Sequence, residues 1–203
     1  MRRFAEHETA AAAEVLKQDG CIAAATDTVF GVCSRISETG QAKLYEVKHR
    51  PHSKRFPVMC ADAAQLRQIA ETTPMAETLI AEFMPGPLTV ILKKKDTVPA
   101  FVSGDGDTLA IRLAATPQLK ELIELTGSPL FMTSANQSGM PECRSAEEIE
   151  TACPDLDGIL EGSVHYNRAS TIADLTGDEP KILREGPITM EQMKQALGRK
   201  THD

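Results

Sequence analysis

The chain has 203 residues, 41% hydrophobic and 25% charged, the proportions of an ordinary globular protein with length for one domain spanning 1–203. A net charge of −7 argues against an evenly spread electrostatic affinity for RNA, and an aromatic content of 4% without Trp argues against a base-stacking platform. The five cysteines form no CxxC pair and no His stands at ligand spacing from them, which argues against zinc and fits buried thiols in a reducing cytoplasm.

The N-terminal Met-Arg-Arg-Phe-Ala-Glu-His-Glu lacks the apolar run of a signal peptide. No later stretch approaches the ~20 apolar residues of a membrane span, so a cytoplasmic protein without membrane contact is expected. The Ala-rich segment 8–19, stopped by Gly20, predicts a helix, and the apolar run 21–25 a buried strand. Ser37 is placed to cap a helix running to about Lys48. Residues 57–61 predict a strand, and Asp62 caps the helix after it. Pro85-Gly86-Pro87 is a hard turn before a strand over 88–92. The alternation continues with a strand over 109–113, a helix over 117–125 ended by Gly127, and a strand over 129–132. Ser145 with Glu148 forms a capping-box pattern, 171–175 and 181–183 predict strands, and Thr189 with Gln192 suggests a last capping box. Alternating strands and helices imply an α/β (α+β) domain, and the short strand pairs near the C-terminus imply a mixed sheet.

Neither GxxxxGK[ST] nor GxGxxG occurs, so any nucleotide is held by other means. Polar residues instead cluster where strands end. Thr26-Asp27-Thr28 follows the first strand and suits either a small polar ligand or a strand-to-helix turn. Residues 43–55 hold Lys43, Lys48, Arg50, Lys54 and Arg55 against one acid, Glu46. Such cations fit a polyphosphate, or merely a helix C-terminus with a solvated loop beyond, and the pattern places Lys48 and Arg50 on an exposed last turn. Thr133-Ser134-Ala135-Asn136 makes a polar nest after an apolar strand. Arg112 stands inside an apolar run, where a charge needs an anionic partner, either a ligand or a protein acid. Ser170-Thr171 and Arg184-Glu185-Gly186 complete the set. Several cations, many hydroxyls and no evident nucleophile or general base suit phosphate chemistry governed by positioning and charge.

The ordered pieces Thr26-Asp-Thr-Val-Phe-Gly31, Lys48-His-Arg-Pro51, Pro85-Gly-Pro-Leu-Thr89, Leu109-Ala-Ile-Arg112, Thr133-Ser-Ala-Asn136-Gln-Ser-Gly139, Ser170-Thr171 and Arg184-Glu-Gly186 resemble the YrdC family of threonylcarbamoyl-AMP synthases. The resemblance runs from about residue 8 to 187. It implies a twisted mixed sheet flanked by helices with a large open cavity, and a reaction of L-threonine, bicarbonate and ATP that yields threonylcarbamoyl-adenylate and pyrophosphate. It further implies ATP contacts from Arg50, Lys54, Thr108, Asn136, Arg144 and Arg184. L-Threonine contacts would come from Thr28, Arg112, Ser134 and Ser170. Lys48 and Arg50 would stabilise departing charge, and Mg²⁺ would be held mainly by the phosphates. The implied partners are a downstream threonylcarbamoyl transferase complex and, for the modification itself, tRNA.

Ala24-Ala25 departs from the family's Tyr-Pro, Arg55-Phe56 from Pro-Leu, and Met59 from the His of some members. Ending at Asp203, the chain corresponds to the short form without an additional C-terminal domain. Two other functions fit parts of the pattern. One is a non-catalytic RNA-binding or ribosome-associated module using the basic 43–55 stretch. The other is a carbamoyl-adenylating enzyme with a different acceptor.

Overall fold

Capped helices and strand-length apolar runs alternate along the computed structural model, which describes residues 1–166 and 168–199. The chain begins with β1 (Arg2–Phe4), α1 (Thr9–Lys17), β2 (Ile22–Ala25) and β3 (Phe30–Arg35). Next come α2 (Glu38–Lys48), β4 (Val58–Cys60), α3 (Ala63–Ile69), α4 (Pro74–Phe83) and β5 (Leu88–Lys93). The second half adds α5 (Ala100–Ser103), β6 (Thr108–Leu113), α6 (Pro117–Thr126), β7 (Leu130–Ser134), α7 (Ala146–Ala152) and β8 (Gly158–Leu160). It closes with β9 (Thr171–Asp174), β10 (Lys181–Arg184) and α8 (Met190–Arg199).

The predicted caps set the helix starts. Ser37, Asp62 and Ser145 accept N–H bonds from Gly40, Gln65 and Glu148, each satisfying a donor that the first turn leaves without a partner. Thr189 and Gln192 form the reciprocal box before α8. At the end of α6, Gly127 takes the left-handed φ of 79° that a Cβ would strain. The segment after β2 corrects one expectation. It turns back as a hairpin, with Ala25 opposite Phe30, and does not enter a helix.

Among the described residues ten strands form one sheet in the order β1-β8-β2-β3-β7-β4-β6-β5-β9-β10. Parallel pairs (β1 with β8, β4 with β6, β5 with β9) sit beside antiparallel ones (β2 with β3, β3 with β7, β5 with β6), so the sheet is mixed as predicted. One face packs Ala23, Val32, Val58, Val90 and Ile111 against Leu44 of α2, Leu66 of α3, Leu79 of α4 and Met193 of α8. Each fully buried Leu of this layer contributes about 1.5–3 kcal/mol. On the opposite face Ile22, Ala24, Cys33 and Met132 meet Leu16 of α1 and Leu119, Leu122 and Ile123 of α6. Those two helices cover only part of that face. Toward β6, β5 and β9 the residues pointing the same way, Ala110, Ile91 and Ile172, remain half-buried, and there the sheet opens into a cavity.

All five cysteines are buried free thiols, which includes the three whose apolar neighbours predicted it. Among the described residues no helix is long and apolar enough to cross a membrane.

Candidate functional site

The cavity, open to solvent, lies where the β2–β3 hairpin loop, the C-terminal ends of β6 and β7 and the start of β9 converge. Thr28, Arg112, Ser134, Ser170 and Arg184, five of the sequence-predicted residues, line it together, and Thr26, Thr89, Met59 and Met132 complete its wall.

The hairpin loop is built by Thr26. Its hydroxyl donates to the Val29 carbonyl at 2.6 Å and accepts the amides of Thr28 and Val29 at 3.1 and 3.2 Å. The hydroxyl oxygens of Thr26 and Thr28 lie 3.0 Å apart. Thr28 Oγ1 accepts from Arg112 Nη1 at 2.6 Å. Arg112 also donates through Nε to the Gly86 carbonyl at 3.1 Å and through Nη2 to Asp27 Oδ1. The side chains of Arg112 and Asp27 are only 8% and 10% exposed, so the charge in the apolar strand is balanced by a protein acid. Burial lowers the Arg112 pKa and the Asp27 charge opposes that shift, leaving a guanidinium that stays charged. Three of its five N–H donors are engaged, and two remain, one on each terminal nitrogen.

The facing wall comes from β5 and the start of β9. Thr89 and Ser170 share a hydroxyl hydrogen bond of 2.7 Å. Arg184 donates from Nε and Nη2 to the Ser170 carbonyl at 3.0 and 2.9 Å, and from Nη2 to its hydroxyl at 3.2 Å. This clamp needs β10 to leave close to β9, and Gly186 permits it. A Cβ there would lie 2.2 Å from the Thr171 nitrogen and 2.5 Å from the Ser170 carbonyl carbon. Gly186→Ala is therefore expected to cost about 1–3 kcal/mol and lower the melting temperature by about 2–12 °C in thermal unfolding. An unchanged melting temperature would show that the close approach gives way easily.

The structure corrects the sequence reading of Lys48. Its side chain is not on an exposed helix end but 1% exposed. Its Nζ donates to the carbonyls of Ser134 and Asn136 and, at 2.6 Å, to Asn136 Oδ1. Ser134 Oγ donates to the same Oδ1 at 2.9 Å. Lys48 thus pins the turn that presents Ser134 to the cavity, and Lys48 is not itself among the lining residues. Burial pulls its pKa down to about 8.

Arg50 staples its own loop, donating to the carbonyls of Lys54 and Arg55 at 2.9 and 2.8 Å and lying over the Phe56 ring at 5.0 Å. Lys54 is exposed on that loop. Arg144 lines an adjoining depression of about 730 Å³ with Glu142, Cys143 and Glu148, and Val29 belongs to both walls. Thr108 opens β6 on the same strand face as Arg112, four residues and about 13 Å away. Neither Arg50, Lys54, Asn136 nor Thr108 borders the main cavity. Sequence reasoning missed Thr89 and the pairing of Asp27 with Arg112. An acid between two threonines after a strand was the available signal for Asp27.

The family model Sua5_yciO_yrdC, described as Telomere recombination, matches residues 14–186. Threonylcarbamoyl-AMP synthase of Pyrococcus abyssi is 32% identical over 200 residues, which cover 97% of this chain and 59% of that protein. The protein of the same name from Escherichia coli O1:K1 / APEC is 35% identical over 187 residues, covering 87% of this chain and 95% of its own. The crystal structure of Pyrococcus abyssi Sua5 complexed with L-threonine superposes with a TM-score of 0.89 at 31% identity, covering 97% of this chain and 60% of that one. The chain thus spans about three fifths of the Pyrococcus relative and nearly all of the Escherichia one.

Proposed function

The chain belongs to the Sua5–YciO–YrdC family, and we propose that it is a threonylcarbamoyl-AMP synthase acting on L-threonine, bicarbonate and ATP. The observation that carries this reading is Arg112, a buried guanidinium in the cavity wall with two N–H donors unspent. A carboxylate accepts charge-assisted hydrogen bonds from such donors. The L-threonine of the Pyrococcus complex supports the same amino acid here.

In this reading Arg112, Thr28, Ser134 and Ser170 hold L-threonine, with its carboxylate on Arg112. After its ammonium loses a proton to solvent, the threonine nitrogen adds to bicarbonate-derived CO2, and loss of a second proton to solvent leaves a carbamate. A carbamate oxygen attacks the α-phosphorus of ATP, and the bond to pyrophosphate breaks. ATP is held by Arg50, Lys54, Thr108, Asn136, Arg144 and Arg184, where Arg184 and Arg144 put positive charge at the cavity and at its neighbouring depression. Lys48 acts through Ser134 and Asn136, as a positioning residue. Mg²⁺ in this reading is held mainly by the ATP phosphates. The product feeds a threonylcarbamoyl transferase that modifies tRNA in the cytoplasm.

Pyrophosphate release measured while omitting L-threonine, bicarbonate and ATP in turn tests the proposal. Release is expected only with all three present. Release that continues without L-threonine would transfer the chain to an enzyme with another acceptor, and RNA binding without any release would make it a binding module.

A further inference from the structure

We propose that Asp27 provides an ammonium-binding subsite beside Arg112, so that the buried ion pair is a receptor for the two charges of an α-amino acid. The inference rests on the proposed function in placing the substrate carboxylate on Arg112. It adds the partner for the substrate amine.

The two side chains are about nine-tenths buried, and each has capacity left over. Arg112 retains two N–H donors. Asp27 uses Oδ1 on Arg112, while its Oδ2 is buried without a hydrogen-bond partner among the described residues. A buried carboxylate oxygen with no donor is rare in folded proteins and is costly unless something arrives to satisfy it. Its neighbours Thr26 and Thr28 both line the cavity, as does Arg112, so the carboxylate stands directly behind the cavity wall. Aspartate χ2 is broad and roughly two-fold, so the carboxylate can reorient within this pocket.

Charge balance selects the ligand class. The Arg112–Asp27 pair is neutral, so an anion alone on Arg112 would sit against the Asp27 charge. A zwitterion brings a carboxylate for the unspent N–H donors and an ammonium for the unspent oxygen, separated by a single carbon. The charged residues lining the cavity are Arg112 and Arg184, with no acid among them, which leaves Asp27 as the carboxylate available to an ammonium at this wall. A site that bonds a substrate N–H rejects the analogue lacking it, because its own polar group is then left unpaired.

The experiment compares L-threonine with (R)-3-hydroxybutyrate, which is L-threonine without its amine, by titration calorimetry on the full chain. The wild-type protein is expected to prefer L-threonine by at least about tenfold, and in Asp27→Asn the preference is expected to fall below about threefold. The loss should fall on L-threonine, with the hydroxy acid little changed, because Asn keeps an oxygen for Arg112 and substitutes a donor for the second carboxylate oxygen. Equal weakening of both ligands, with the preference intact, would reduce Asp27 to a support for Arg112 and overturn the proposal. Absence of a preference in the wild-type protein would overturn it without any variant, which covers the case of an Asp27→Asn chain that does not fold. The proposed function fails separately, when L-threonine neither binds nor supports pyrophosphate release. The comparison is then run with the α-amino acid that does support release and its deaminated form, and failure of every α-amino acid to bind would sink both readings.

Discussion

Replacing Arg112 by Ala is expected to raise the L-threonine concentration needed for half-maximal pyrophosphate release by about 30- to 150-fold, corresponding to about 2–3 kcal/mol of lost charge-assisted bonding. The ATP requirement should change by less than about threefold. Arg112 lies beside Thr28 and Asp27, where the proposed function puts the amino acid, and that proposal gives the nucleotide to other residues, among them Arg144, Arg184 and the 50–54 loop. The ion pair adds a complication that the apolar run in the sequence does not reveal. Removing Arg112 alone leaves Asp27 as an uncompensated buried carboxylate, at a cost to stability of about 3–5 kcal/mol. The double variant Arg112→Gln/Asp27→Asn removes both charges together and should recover most of that stability. If threonine use returns along with stability, Arg112 is a structural residue and the carboxylate assignment is wrong. If stability returns while threonine use stays lost, the substrate needs the charged pair itself and not merely a folded cavity.

What was legible in the chain depended on how local its cause was. The caps at Ser37, Asp62, Ser145 and Thr189 were readable because a hydroxyl or carboxylate meets an amide only three residues ahead. Gly127 was readable because its own backbone φ requires it. β3 was not, since Gly31, Ser34 and Arg35 break up its apolar signal and the pairing that makes it a strand comes from β2 and from β7, about a hundred residues away. The three-residue strands β1 and β8 are too short to carry any periodicity. The same distinction divides the site. Arg112 announced itself as a charge in an apolar run, but its acid lies 85 residues away, and no local pattern links the two. The cluster of cations near Lys48 was equally visible. Its meaning was not, because two of the three oxygens holding Lys48 are backbone carbonyls, which no side-chain pattern marks.

That burial changes what Lys48 substitution should do. A cation on an exposed turn facing phosphates would, when removed, lower turnover and leave both fold and threonine affinity intact. The observed ammonium instead ties Ser134 and Asn136 together, and Ser134 lines the cavity. Lys48→Met keeps the aliphatic volume and leaves those oxygens without their donor. We expect a loss of about 1–3 kcal/mol in stability, because buried acceptors lose their partner. Synthase activity should fall by about 10²-fold, the effect of displacing positioning groups by about an ångström. Threonine affinity measured without turnover should fall as well. A second readout separates positioning from simple loss of fold. With the Lys48 pKa drawn down to about 8 by burial, raising the pH through that value removes a proton and leaves two N–H donors for three oxygens. Wild-type threonine affinity should therefore weaken above about pH 8 relative to that of folded Lys48→Met, measured side by side so that titration of the substrate amine cancels. Parallel pH profiles, together with unchanged threonine affinity in the variant, would return Lys48 to a direct role on the phosphates.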